Sequence, residues 1–497
     1  MQSVVRSARA RRLLGIGVVV LALAIPAACG GSQRTPEEVK AANDKLNGSI
    51  NGGNSNGNGV DPVTGDPVDP GTDPGTNDPG TTDPGGTGNT PGGTGNTPGG
   101  TGNPGGGGNQ PIAPGVKAGS CDGFKNGQGI SDSTIKIGNS SDISGPVPGL
   151  FEAAQQATKA YVKYFNTTQP NGICGRKLEL TNLDSRTDAG ADQASYQKLC
   201  ESVFAAVGSM SAFDSGGAQT AENCGLPDMR TAVVTATRNS CKTCFGAQPT
   251  GPYEFSNAVP DFIVKNYKAA SQKAAFLYLN AGAAAENAKA QQKVEEKRGM
   301  KFLYTQGIDV ATASYAPYVQ KMKSLGVEYV QFIGAYQQSV TLAKAIQAGG
   351  FKPQVRLYDP SVYDVNFLKT GGSAVEGVFM FINFTPLEES QPELNLYKQW
   401  LQQVAPGANP TFFGEFAWSA AKLFVQNSIA LGGKLNRSTL AKSFTSVHKW
   451  TGGGMHGPMD VGGKHSPSCV RFLQVKGGKF VPLGSTKYMC NGSSVGR

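Results

Sequence analysis

Short apolar runs alternate with polar, Gly-rich breaks along most of the chain, and their period switches between about two and 3.6 residues. The first clear switch lies in TIKIGNSSDISGPVPGLF, residues 134–151. Ile135 and Ile137 alternate with polar neighbours, the run breaks into Gly, Asn, Ser and Asp, and it turns through Ser144-Gly145-Pro146. Phe151, Ala154, Tyr161, Val162 and Phe165 then fall on one helical face. This order predicts strand, loop and helix. In open α/β sheets ligands sit in loops at the carboxyl ends of strands, and this loop offers hydroxyls and Gly residues that let a backbone come close.

The alternation continues. A strand is predicted over 177–180, a helix over 192–207, a short strand just before Gly208-Ser209-Met210-Ser211, and a strand over 231–234 ending in Thr235-Ala236-Thr237. It restarts with strands over 274–279, 329–333 and 354–358 and helices over 284–298, 315–325 and 339–348. A long helix is expected over 414–431, and a hairpin pairs 469–475 with 480–483 around Gly477-Gly478. Repeated βα units imply parallel sheets with helices on both faces. The expected fold is α/β, with two doubly wound parallel-sheet lobes joined by a hinge, the second inserted in the first.

The N-terminal region follows other rules. Arg6 to Arg12 make a basic segment, residues 13–25 an apolar run, and Pro26-Ala27-Ala28-Cys29 follows. That is the pattern of a secretory signal, with an apolar run short of the ~20 residues that span a bilayer. The Ala-Ala-Cys ending resembles a bacterial lipobox with Pro26 in place of the usual Leu, which makes Cys29 the expected lipidation site. A short helix is predicted over 35–46, capped by Thr35 with Pro36 at its first position. From 47 to about 117 the chain is mostly Gly, Asn, Asp, Thr and Pro, with GGTGNTP repeated over 85–98. Such a stretch buries too little apolar area to offset its ordering entropy and is expected to be a disordered tether. Gly-rich linkers of ~70 residues reach roughly 45 Å on average.

Length and charge narrow the function. A chain of 497 residues needs more than one core. Of its formal net charge of +9, Arg6, Arg9, Arg11 and Arg12 lie in the segment expected to be removed, and the rest is dispersed, so no nucleic-acid partner is expected. The body carries no P-loop, no H-E-x-x-H and no G-x-S-x-G after a predicted strand. Its His448, His456 and His465 lack metal-ligand spacing, and its isolated Asp and Glu residues read as solvated faces or caps. No enzyme, cofactor or metal is expected.

Several segments share an order and spacing: IKIGNSSDISGPVPG, GRKLEL (175–180) with Asp184 after it, EYVQFIGAY (328–336) with the following AIQAGGFKPQ, Glu376-Gly377-Val378, and GPMDVGGKH (457–465). Together they make the body, from Ile135 to about Leu483, resemble the type I solute-binding proteins of ABC transporters, most closely the branched-chain amino-acid-binding group. The resemblance implies a lipoprotein signal over 1–28, an anchored linker over 29–118, a first lobe over 119–255 and 382–466, and a second over 256–381 and 467–497. It implies a ligand between the lobes, held largely by the first. Ser211 and Ser215 in one loop and Ala236 and Thr237 in another are the matching positions, with Ser144 and Phe151 flanking them. From the second lobe Tyr336 matches the family's ligand-stacking aromatic, and 280–285 is a second wall; Trp418 reads as core. The acid that pairs with an amino acid's ammonium in this group has Ser361 at its place here. Asp359 or Asp364 is the available substitute, and an unpaired buried ammonium is costly. Amides, organic acids and apolar metabolites therefore stay open beside amino acids.

Nine Cys minus Cys29 leave eight, consistent with four disulfides whose connectivity spacing does not give. The family habit of linking the helices around the first ligand loop implies Cys200–Cys224. Cys121–Cys174, Cys241–Cys244 and Cys469–Cys490 complete the assignment. Cys241-Lys242-Thr243-Cys244 also has thiol-redox spacing, which would need a thioredoxin-like βαβ context. The expected function is capture of a small molecule (amino acid, amide or small carboxylate) by a monomer anchored outside the cytoplasmic membrane, with delivery to an ABC permease. A ligand sensor of the same fold feeding a signalling partner, and a redox protein using Cys241 and Cys244, are the alternatives.

Overall fold

The computed structural model describes residues 116–251 and 253–496. The signal pattern, Cys29, the 35–46 helix and nearly all of the tether lie outside the described residues.

Strand β1 (Thr134–Ser141) leads through the Ser144–Gly145 turn into α1 (Glu152–Thr168), which buries Ala154, Tyr161, Val162 and Phe165. β2 (Lys177–Asp184), α2 (Ala189–Ser202), β3 (Ala205–Val207), β4 (Asp228–Ala232), the short α3 (Ala236–Ser240) and β5 (Cys244–Gln248) follow. The five strands pair in the order β2-β1-β3-β4-β5, all parallel. The order reverses beside β1, and that switch point opens a crevice at the strands' carboxyl ends.

After β6 (Glu254–Ser256) the second lobe is built from β7 (Ala274–Leu279), α4 (Gly282–Lys297), β8 (Phe302–Ile308), β9 (Tyr329–Ile333), α5 (Tyr336–Ala348), β10 (Val355–Tyr358) and β11 (Phe379–Ile382). Every residue of β7, AAFLYL, is buried, as a strand covered on both faces requires. The chain then returns to the first lobe. α6 (Pro392–Val404) packs on α1, and α7 (Phe412–Leu431) packs on α1, β4 and β5. α7 is apolar around most of its circumference and is correspondingly sunk in the core. Trp418 on it is fully buried, packs against Tyr161 at 4.8 Å and donates Nε1–H to Glu393 Oε1 at 2.8 Å. Last come β12 (Cys469–Lys476) and β13 (Lys479–Pro482), turned by Gly477 and Gly478, both at positive φ.

Three expectations need correction. The helix predicted over 192–207 ends at Ser202, and the strand expected after it is 205–207 itself. Val203, Phe204, Ala205, Ala206 and Val207 are all buried at the sheet's centre, and a short apolar run carries no period to separate helix from strand. The second sheet, ordered β13-β12-β11-β10-β9-β7-β8, is mixed rather than wholly parallel, because β12 and β13 enter antiparallel. Asp192, Asp214, Asp228, Glu295 and Glu415 are fully buried, not solvated.

Four disulfides close within the described residues: Cys121–Cys174, Cys200–Cys224, Cys241–Cys244 and Cys469–Cys490. Cys241 and Cys244 are buried, and Cys244 opens a strand of a five-stranded parallel sheet rather than a thioredoxin-like unit. Among the described residues no helix is long and apolar enough to cross a membrane.

Candidate functional site

A cavity of about 350 Å³ lies between the lobes. The loops that follow the parallel strands of both sheets line it: Phe151 after β1, Thr187 after β2, Met210 after β3, Val234 after β4, Leu279 at the end of β7, Val310 after β8 and Ile333 at the end of β9. This is where doubly wound sheets bind ligands, and the volume lies at the lower end of the ~300–1,000 Å³ usual for small-molecule sites.

The lobes meet through α4. Gly282 at its start has φ +51°, and a Cβ there would sit 2.4 Å from the Ala212 carbonyl, so the close approach needs glycine. Ala283 N–H donates to Ala212 O at 2.9 Å, and Asn287 Nδ2 donates to Val234 O at 3.3 Å. In the other direction Ala236 N–H donates to Glu286 Oε1 at 2.8 Å. These bonds cross from one lobe to the other. The crossing strands add Gln248 Nε2 to Asn383 Oδ1 at 3.2 Å.

The cavity wall is mainly apolar. Six phenyl rings, Phe151, Phe213, Phe255, Phe381, Phe412 and Phe413, face it. Phe151 packs edge-on against Phe413 at 4.7 Å, and Phe255 against Phe381 at 5.5 Å. Among the described residues no Lys, Arg or His lines it, whereas Glu254 and Asp359 do. Glu254 is already engaged by His465 Nδ1 at 2.9 Å and by Ser466 N–H at 2.8 Å. Asp359 follows β10 and caps a 3-10 turn, its Oδ1 accepting from Ser361 N–H at 3.0 Å. Among the described residues its Oδ2 accepts no hydrogen bond. Burial pushes the Asp359 carboxyl up to about 6, against the opposing effect of the Ser361 donors.

Of the residues singled out from sequence, Phe151, Asp359 and Ser361 line this cavity, as do Ala281, Ala283 and Ala284 from the expected second wall. Tyr336 and Asp364 line a smaller neighbouring cavity of about 70 Å³. Ser144, Ser211, Ser215, Ala236 and Thr237 do not line the main one. Ser144 is exposed, and its hydroxyl donates to Asp184 at 2.5 Å. Ser211 is buried and its Oγ accepts from Phe213 N–H at 3.1 Å. Ser215 closes a turn whose carbonyl accepts from Ala218 N–H. Thr237 is exposed on α3, while its neighbour Ala236 bonds across to Glu286. These hydroxyls and amides satisfy the turns and the closure itself.

Sequence reasoning missed what holds the two first-lobe loops. Asp142, at the end of β1, accepts from Ala212 N–H at 2.8 Å, Thr187 N–H at 3.0 Å and Ser185 Oγ at 2.5 Å. Burial raises its carboxyl above the usual range, opposed by these hydrogen bonds. Asp214 accepts from Val234 N–H at 2.9 Å and Thr235 Oγ1 at 2.5 Å, tying one loop to the other. Beneath them Arg238 donates to Asp192 at 2.9 Å, to Asp228 at 3.1 Å and to Asp214 O at 2.7 Å. Tyr196 OH donates to Asp228 Oδ2 at 2.8 Å. Charges this deep persist only when paired and hydrogen-bonded. No local pattern marks them, because the partners are far apart in sequence.

Comparison with known proteins agrees with this architecture. A family model described as periplasmic binding protein matches residues 134–479. A fatty acid ABC transporter substrate-binding protein from Thermomonospora curvata superposes with a TM-score of 0.64 at 20% identity, over 74% of this chain and 95% of that one. A leucine binding protein from Thermotoga maritima gives 0.60 at 15% identity, over 71% and 98%. A solute-binding protein of an ABC transporter from R. palustris, in complex with 4-hydroxybenzoate, gives 0.60 at 18% identity, over 72% and 98%. At these identities the likeness speaks for the fold. No curated protein sequence matches the chain. With its two-lobed α/β architecture, and with a family model covering more than half of its length, the chain belongs to the periplasmic binding protein family.

Proposed function

We propose that this protein captures a small solute between its lobes outside the cytoplasmic membrane and presents it in the closed form to an ABC permease. The observation that carries the reading is the cavity between the lobes at the carboxyl ends of both sheets, with hydrogen bonds across the cleft from α4. A solute that touches both lobes shifts the open–closed population towards closed, and a hinge motion of this kind is what a permease reads. The Ala-Ala-Cys29 pattern supports tethering through a lipid on Cys29. Cys29→Ser is expected to move the protein from the membrane fraction to the soluble one, and unchanged fractionation would remove the anchor from the proposal.

Amino acids, small amides and carboxylic acids make the first trial set, since the neighbours named above bind leucine, a fatty acid and 4-hydroxybenzoate. Thermal shift on the purified full chain tests capture. A solute at 100 times its Kd stabilises by about 2.7 kcal/mol, enough for a visible shift. Solute-dependent compaction in small-angle scattering supports closure, and a chain that binds without compacting speaks against it.

A further inference from the structure

Four first-lobe backbone amides in the loops beside the cavity are engaged elsewhere. Ala212 N–H is on Asp142, Phe213 N–H on Ser211 Oγ, Val234 N–H on Asp214 and Ala236 N–H on Glu286. Ala283 N–H, in the first turn of α4, is on Ala212 O. Among the described residues the cavity holds two carboxyl groups and no cationic side chain, and the carboxamides of Gln248, Asn287, Gln291 and Asn383 and the Ser and Thr hydroxyls that also face it are neutral. An incoming carboxylate would be desolvated beside Glu254 and Asp359 without a paired charge, a costly arrangement. Asp359 Oδ2 is an unused charged acceptor among the described residues that line the cavity.

We propose that the cavity takes a predominantly apolar solute that carries no carboxylate and whose polar end, an amine or a hydroxyl, donates to Asp359. This rests on the solute-binding reading and narrows it. An amine or hydroxyl supplies the donor that Oδ2 lacks, and the hydrocarbon body fills the space between Phe151, Phe413, Phe255 and Phe381.

The test uses the full chain and matched probes: the alcohol, the primary amine and the carboxylic acid on cyclohexylmethyl, benzyl and hexyl skeletons, with L-leucine alongside, titrated calorimetrically at pH 7.5. The expected result is that, on each skeleton that binds, the alcohol or amine binds at least ten-fold more tightly than the acid and than leucine. Asp359→Asn, which keeps the oxygen that caps the 3-10 turn, is expected to weaken the amine at least ten-fold and to leave the acid unchanged or tighter. If an acid or leucine binds most tightly, the solute-binding reading stands and this inference falls. If the amine is indifferent to Asp359→Asn, the inference also falls. If no probe of any class binds to a chain that is folded by circular dichroism, both fall together.

Discussion

Arg238 holds two carboxylates and one backbone carbonyl at once, all out of contact with water. Removing it with Arg238→Gln leaves Asp192 and Asp228 short of a partner, and breaking a buried pair in this way typically costs about 3–5 kcal/mol. Chemical denaturation is the measurement, and a loss below ~1 kcal/mol would show that the network is not holding the lobe together. Glu295 is a different case. It is fully buried on α4, and among the described residues neither of its oxygens has a hydrogen-bond partner of good geometry. Burial pushes it from 4.5 up to about 8, against the opposing effect of Gln331. The folded state therefore keeps a proton that the unfolded chain releases. Stability is full below the unfolded value of 4.5 and is lost as pH rises through about 8. Each pH unit in that window is worth up to about 1.4 kcal/mol. Glu295→Gln is expected to flatten this slope, measured as denaturation midpoints at pH 5 and pH 8. Equal slopes in the two proteins would contradict the assignment.

At the scale of elements, the α2–β3 junction shows how a boundary is held. α2 stops at Ser202, and Arg437 then donates to the carbonyls of Cys200, Val203, Phe204 and Cys224. The Cys200–Cys224 disulfide, with a sequence separation of 24, ties α2 to the segment behind the loop that follows β3. Loop-closure entropy for a bridge of that span is worth about 3 kcal/mol. The double variant C200S/C224S should lose about that much in non-reducing thermal or chemical unfolding, while Arg437 keeps the two segments in register. No measurable loss would mean the clamp alone suffices. The predicted helix over-ran this junction because the chain here is apolar without a period. The β7 and β9 strands were legible because mainly apolar runs of six and five residues bounded by turn residues leave fewer alternatives. β8 and β11 went unread: β8 lies at a sheet edge with a mixed burial pattern, and β11 has only four residues.

For the whole molecule, the contact between the lobes at α4 depends on one missing side chain. Gly282 brings α4 against Ala212, and a Cβ would meet the carbonyl oxygen at 2.4 Å and the Phe213 ring at 3.3 Å. Gly282→Ala also forces alanine into a positive φ, a conformation worth roughly 1 kcal/mol of strain or more. The expected outcome is a folded protein whose lobes cannot close fully, with solute affinity at least ten-fold weaker. In small-angle scattering the radius of gyration should stay at its solute-free value on adding the solute that compacts the wild type. Unimpaired compaction would show that the α4–Ala212 contact does not limit closure.

The sequence by itself determined most of the architecture. Alternation and helical period are local, so Ile135, Ile137, Phe165 and the AAFLYL strand report their burial directly, and the order of motifs carries the two-lobed family fold. It also pointed to Phe151, Asp359 and Ser361, which line the cavity between the lobes. Tertiary structure alone decided what the polar residues do. Ala212 meets Asp142, Ala236 meets Glu286, and Val234 meets Asp214, partners 20 to 70 residues apart. A hydroxyl or amide in a loop serves a ligand only if no nearer acceptor claims it. Which acceptor is nearer is settled when distant segments pack, because a buried polar group without a partner costs more than any local preference supplies.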